Sequence, residues 1–168
     1  MVRKLTRQDH FTPGWFISTA TAISAIGEMP TRAYAGGFPT HTQEQKMIGY
    51  VTLGTNDLPR AAAFYDALLA ELGSKRIMEF ERGILWGTGP NAASLGVLKP
   101  FDEQPATPGN GPMVALAVDS REKVDQVYKR ALELGATDEG PAGPRGDSFY
   151  AGYFRDLDGN KLAVFIMG

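Results

Sequence analysis

Phe149-Tyr150-Ala151-Gly152-Tyr153-Phe154-Arg155-Asp156-Leu157-Asp158-Gly159-Asn160-Lys161-Leu162-Ala163-Val164-Phe165-Ile166 is the stretch that decides how this chain is read. Two runs rich in aromatic and branched apolar residues flank Asp158-Gly159. Glycine accepts the positive φ of a tight turn, so the stretch is a predicted hairpin. Side chains alternate across a strand. Phe149, Ala151 and Tyr153 therefore share one face, Tyr150, Gly152 and Phe154 share the other, and Ala163 and Phe165 stand together on the second strand. Arg155 and Asp156 are read as braces of the turn rather than as catalysts.

Working upstream, the Gly- and Pro-rich residues 140–147 read as a plain loop, the alternative being a lid whose Arg145 meets an anionic ligand. Residues 121–134 read as a helix, capped by Asp119-Ser120 and stopped by Gly135. Residues 113–118 read as a strand with Val114, Leu116 and Val118 on one face. Residues 99–112 form a linker rich in Pro and Gly. Before it the same order of elements occurs. A strand at 48–54 places Val51 and Leu53 on one face and Tyr50, Thr52 and Gly54 on the other. Thr55-Asn56-Asp57 and Pro59 open a helix over 58–72, which Gly73 stops. Short strands follow at 75–80, 83–86 and 94–98.

The two halves are a repeat. The apolar face of the first helix (Ala62, Tyr65, Leu69, Leu72) and its stop Gly73 recur 62 residues later, as Val124, Val127, Ala131, Leu134 and Gly135. The first strands match with Tyr50 opposite Met113. Each unit reads as strand, helix, then about three strands. One unit alone exposes a sheet face, so two must pair to bury it. The expected fold is α+β: two βαβββ modules, 47–98 and 113–168, forming a concave, largely antiparallel sheet cleft with helices outside.

These features carry a family resemblance over about residues 47–168. The segment Arg155-Asp156-Leu157-Asp158-Gly159-Asn160 is similar to the "RDPDGNxxE" ending of the vicinal oxygen chelate superfamily. That superfamily holds glyoxalases, bleomycin-resistance proteins and extradiol dioxygenases. The run Tyr50-Val51-Thr52-Leu53-Gly54-Thr55-Asn56-Asp57-Leu58, with Ala63-Phe64-Tyr65, resembles the family's opening phrase. The resemblance implies a divalent metal held by His or Gln on each first strand and a carboxylate on each last strand. This chain departs from that pattern. Tyr50 and Met113 stand at the first-strand positions and Ala163 at the second carboxylate position. The first carboxylate position falls near Ser94, in a run without acids. Hard divalent metals want imidazole and carboxylate, so no cofactor and no metal site is expected. The only histidines, His10 and His41, lie upstream of the repeat.

Composition narrows the rest. The chain has 168 residues, 43% apolar and 21% charged, with net charge −2. Nothing there suggests a nucleic-acid partner. No run approaches the roughly 20 apolar residues of a membrane span. There are no cysteines, so disulfides, thiolate metal sites and cysteine nucleophiles are excluded. Residues 1–46 lack a sustained period and read as an N-terminal arm. Arg3, Lys4 and Arg7 ahead of the run from Trp15 to Ile26, then Ala33-Tyr34-Ala35, resemble an export signal. The polar residues within that run argue instead for a cytoplasmic protein.

The expected function is binding of a small aromatic or amphipathic molecule in the sheet cleft. The expected contacts are Tyr50, Trp86, Met113, Phe149, Tyr153 and Phe165. Two alternatives stand beside it. One is a lyase, isomerase or dioxygenase of the same superfamily with a non-standard site. The other is a dimer platform whose aromatics fill their own core. A homodimer is expected in each case.

Overall fold

The computed structural model describes residues 47–168. The expected arm at 1–46 and both histidines lie outside the described residues.

Module one runs β1 (Tyr50–Gly54), α1 (Leu58–Ala70), β2 (Lys75–Phe80), β3 (Gly83–Gly87) and β4 (Ser94–Leu98). Module two repeats the order as β5 (Val114–Ala117), α2 (Arg121–Glu133), β6 (Thr137–Pro144), β7 (Phe149–Arg155) and β8 (Lys161–Met167). Both helices begin on a side-chain cap, which satisfies an otherwise orphaned amide. The Asp57 carboxylate accepts from the Arg60 amide at 3.0 Å, and the Ser120 hydroxyl accepts from the Lys123 amide at 3.2 Å. Both stop before a glycine with positive φ, Gly73 at 67° and Gly135 at 97°.

The sheets have one topology used twice. Their strand orders are β1-β4-β3-β2 and β5-β8-β7-β6. The first and last strands of each module pair in parallel; the other pairs are antiparallel. The α+β class and the two βαβββ modules follow the sequence, and the hairpin pairs Arg155 with Lys161 around Gly159 at φ 86°. One element corrects the sequence reading. Residues 140–144 are not loop but the second half of β6, an edge strand that pairs Gly143 with Ala151 and Pro144 with Tyr150. Proline and glycine survive there because an edge strand needs only one line of hydrogen bonds and tolerates bulges, which fall on either side of Gly140.

Register divides each sheet into a helix-covered face and an open face. Under α1 lie Ile84, Trp86, Leu95 and Val97; under α2 lie Phe154, Leu162 and Val164. All belong to one continuous core. The modules lock together at the β7–β8 turn. Asp156, 5% exposed, accepts from Tyr65 Oη of α1 at 2.6 Å, from the Asp158 and Asn160 amides, and from Asn160 Nδ2. Asn160 Nδ2 also donates to the Gly54 carbonyl at 2.9 Å. Asp158 accepts from Thr55 Oγ1 at 2.7 Å and from Arg60. The same residues that shape the hairpin therefore fix module two against the β1–α1 connection. Arg155 donates to Glu139 and to the Gly159 carbonyl, consistent with its role as a brace.

Candidate functional site

The open face of module two carries aromatic rings set by the register of β7 and β8. Tyr153 stands beside Ala163, and Ala151 beside Phe165. Phe149 and Phe165 pack with centroids 5.4 Å apart and planes tilted by 32°. Tyr153 lies between two cations. The Arg145 guanidinium is 5.5 Å and Lys161 Nζ 5.7 Å from its centroid, within cation–π range. Glu139 accepts from Arg155 and lies 3.2 Å from Lys161. Those two cations, Arg155 first, hold its carboxyl below the usual range.

The open face of module one is mostly aliphatic. Tyr50 is 65% exposed and sits beside Ser94. Ile77, Met78 and Phe80 of β2 are exposed too. Beneath them the sheet is bare. A Cβ at Gly83 would meet Leu98 at 2.6 Å and Phe80 at 3.0 Å, so those side chains lie over the glycine backbone.

Between the modules lies a cavity of about 560 Å³. Val51 of β1, Leu69 of α1, Leu72 just past its end, Leu95, and both faces of β5 wall it. Ser74, Thr88 and Ser94 are its hydroxyl-bearing lining residues. Such volume, with apolar walls and few polar groups, is typical of a small-molecule site. Ala115 and Ala117 belong to this lining and also to the open face of module two, where they pair with Ala163 and Phe165. Two residues of the cavity lining therefore neighbour the aromatic face in the sheet.

The six expected contacts fall into two groups. Tyr50, Phe149, Tyr153 and Phe165 stand on open faces, as strand alternation requires. Met113 borders the cavity just before β5 and is 45% exposed. Trp86 corrects the sequence reading. It is 1% exposed and turned toward α1, where its indole N–H donates to Asp66 at 2.8 Å. It pairs with Leu95, a core position, so it meets the cavity from the helix side and not from the open face. The sequence reading did not single out Val51, Leu69, Leu72 and Leu116 as site residues, because each reads as ordinary core. It also passed over Lys161.

A divalent metal does not fit the positions that the resemblance assigns to it. Tyr50, Ser94, Met113 and Ala163 offer two neutral hydroxyls, a thioether and a methyl group. Among the described residues no group of three His, Cys, Asp or Glu side chains is placed to hold a metal. Also among them, no helix is long and apolar enough to cross a membrane.

Comparison with known proteins agrees with the fold. The family model of the glyoxalase/bleomycin resistance protein/dioxygenase superfamily matches residues 47–164. A glyoxalase/bleomycin resistance protein from Albidiferax ferrireducens T118 is 35% identical, with TM-score 0.65 over 71% of this chain and 98% of that chain. The hypothetical protein SA1046 from S. aureus is 25% identical, with TM-score 0.57 over 73% of this chain and 93% of its own. Lactoylglutathione lyase from Agrobacterium tumefaciens, at 19% identity, shares the fold with TM-score 0.54 over 72% of this chain and 92% of that one. No curated protein matches the chain. With paired βαβββ modules, the matching hairpin and a family match over most of its length, the chain belongs to the glyoxalase/bleomycin resistance protein/dioxygenase superfamily.

Proposed function

We propose that this chain is a cytoplasmic, metal-independent binding protein of its superfamily. Its ligand is a small aromatic or amphipathic molecule, held in the inter-module cavity and across the aromatic face of module two. One observation carries this reading. An apolar cavity of about 560 Å³ is lined in part by Met113, which with Tyr50 and Ala163 stands at the positions that the resemblance assigns to metal ligands. Burying a ligand ring there gains about 25 cal/mol for each Å² of apolar surface removed from water. The hydroxyls of Ser74, Thr88 and Ser94 can orient its polar edge.

The enzymatic alternative has less support. Tyr50 and Tyr153 are the phenols nearest the site. Among the described residues neither is hydrogen-bonded to a carboxylate, whereas Tyr65 and Tyr150 are. A homodimer belongs to the proposal as well. β1 and β5 each pair on one side only, leaving strand edges that a second copy can meet.

A thermal-shift screen of aromatic and amphipathic compounds tests the reading. A ligand that binds only the folded protein raises its melting temperature in proportion to the logarithm of concentration. Ala115→Trp, on an exposed position of the cavity wall, should abolish that response while leaving the ligand-free melting temperature unchanged. A library with no hits, or hits indifferent to Ala115→Trp, would refute the site.

A further inference from the structure

The open face of module two is more positive than the chain as a whole. Arg145, Arg155 and Lys161 meet there with one carboxylate, Glu139, in a protein of net charge −2. Glu139 engages Arg155 and Lys161. Among the described residues no carboxylate forms an ion pair with Arg145.

Arg145 is held in place by the strand it follows. A Cβ on Gly140 would lie 3.6 Å from Arg145 Nη2, and one on Gly143 would lie 3.4 Å from Nη1. The guanidinium therefore lies across bare backbone on one side and the Tyr153 ring on the other. Nη2 donates to the Pro141 carbonyl at 2.7 Å and Nη1 to the Pro144 carbonyl at 3.1 Å. A guanidinium has five N–H donors in a rigid fork. These two bonds fix its plane and leave donors for a further acceptor. The Gly- and Pro-rich composition of β6 thus has a use: it bends the strand edge and seats one arginine.

We infer that Arg145 and Lys161, on either side of Tyr153, form a subsite for the carboxylate of a planar aromatic acid. This inference deepens the proposed function and rests on its cavity. Ala115, Ala163 and Tyr153 are successive neighbours across β5, β8 and β7. Neighbouring strands lie about 4.8 Å apart, so Tyr153 is about 10 Å from the cavity rim. A fused two-ring acid spans that distance, with its rings toward exposed Ala115 at the cavity rim and its carboxylate at Arg145. A cation would be repelled there. A neutral amide of the same shape would lose the charge-assisted bonds that the guanidinium fork offers.

The test is calorimetric titration of the full chain with 2-naphthoate and with 2-naphthamide. The acid should bind at least about tenfold more tightly than the amide, the scale of a hydrogen bond to a charged group. Arg145→Gln should erase that preference and leave amide binding unchanged. Lys161→Met should reduce it. Lys129→Gln, a charge change on an exposed side chain of α2, should leave it intact. Equal binding of acid and amide by the unaltered protein would overturn the subsite while leaving the cavity reading standing. So would a preference that survives Arg145→Gln or falls equally in Lys129→Gln. Failure of both probes to bind would refute the subsite and count against the cavity too.

Discussion

The two modules share a topology and differ in what surrounds their helices. α1 buries Ala61, Ala62, Phe64, Tyr65, Leu68 and Leu69; α2 buries only Val124, Val127 and Ala131. A helix buried on a wide arc has neighbours on more than one side. α1 covers its own sheet and also receives the β7–β8 turn of module two, through Tyr65 and Arg60. α2 covers its own sheet and keeps its charged face in water. The open faces differ in the opposite sense. That of module one is aliphatic over glycine; that of module two is aromatic and cationic. Repeating one unit therefore does not repeat one role. Module one supplies most of the cavity wall and the α1 side of the joint, and module two carries the aromatic rings and cations that the proposed site would use.

The sharpest way to break this comparison is to remove the joint. Asp156→Ala takes away an acceptor for Tyr65, for two backbone amides and for Asn160. It should destabilise the protein by about 3 kcal/mol, since several buried donors are orphaned together. Urea unfolding measures it. A loss below about 1 kcal/mol would mean that the turn does not hold the modules together.

A second substitution probes how closely α2 sits on its sheet. The Cβ of Gly152→Ala would meet Tyr128 Cδ2 at 2.8 Å and Cγ at 3.0 Å. Overpacking of this kind costs about 1–3 kcal/mol. In module one the matching place holds Ile84, beneath α1. Ile84→Gly and Gly152→Ala should therefore both be destabilising, in opposite steric directions. An indifferent Gly152→Ala would show that α2 can lift from β7.

Tyr65→Phe is milder. It deletes one hydroxyl of the joint and keeps the ring that packs against Phe64 and Trp86. The expected loss is about 1–2 kcal/mol. Made together with Asp156→Ala it should cost much less than the sum, because both remove the same bond.

The smallest effect concerns pH. The Arg76 hydrogen bonds hold the Asp66 carboxyl below its usual range, and Arg155 and Lys161 do the same for Glu139. A depressed folded pKa adds stability that is fully present above the unfolded value, near 4. That contribution is lost as pH falls through the lowered folded values. Stability should therefore decline on acidification below about pH 4, by little for such solvent-exposed pairs. Asp66→Asn should flatten part of that decline. An unchanged acid limb would exclude Asp66 as a contributor.

Much of the fold was legible because the signals were local. Caps at Asp57 and Ser120, stops at Gly73 and Gly135, and Asp158-Gly159 between alternating strands each act within a few residues. The repeat then supplied the pairing of like elements. β6 was not legible, because Gly140, Pro141, Gly143 and Pro144 carry loop chemistry and only pairing with β7 makes them a strand. The orientation of Trp86 was hidden for a related reason. β3 is apolar on both faces, so no alternation reveals which side meets α1; its register with β4 decides. The cavity escaped because β1 and β5 contribute walls from places more than 60 residues apart in sequence. Tyr153 and Phe165 were found on the right face because alternation along β7 and β8 is unbroken.

The most direct test of the central claim is elemental mass spectrometry on untagged protein offered Mn, Fe, Ni and Zn and then freed of excess metal. The expected result is no metal above background, with ligand-dependent thermal shifts retained in the same preparation. Close to one equivalent of a single metal, lost when Tyr50 or Met113 is replaced, would contradict a metal-independent binding protein.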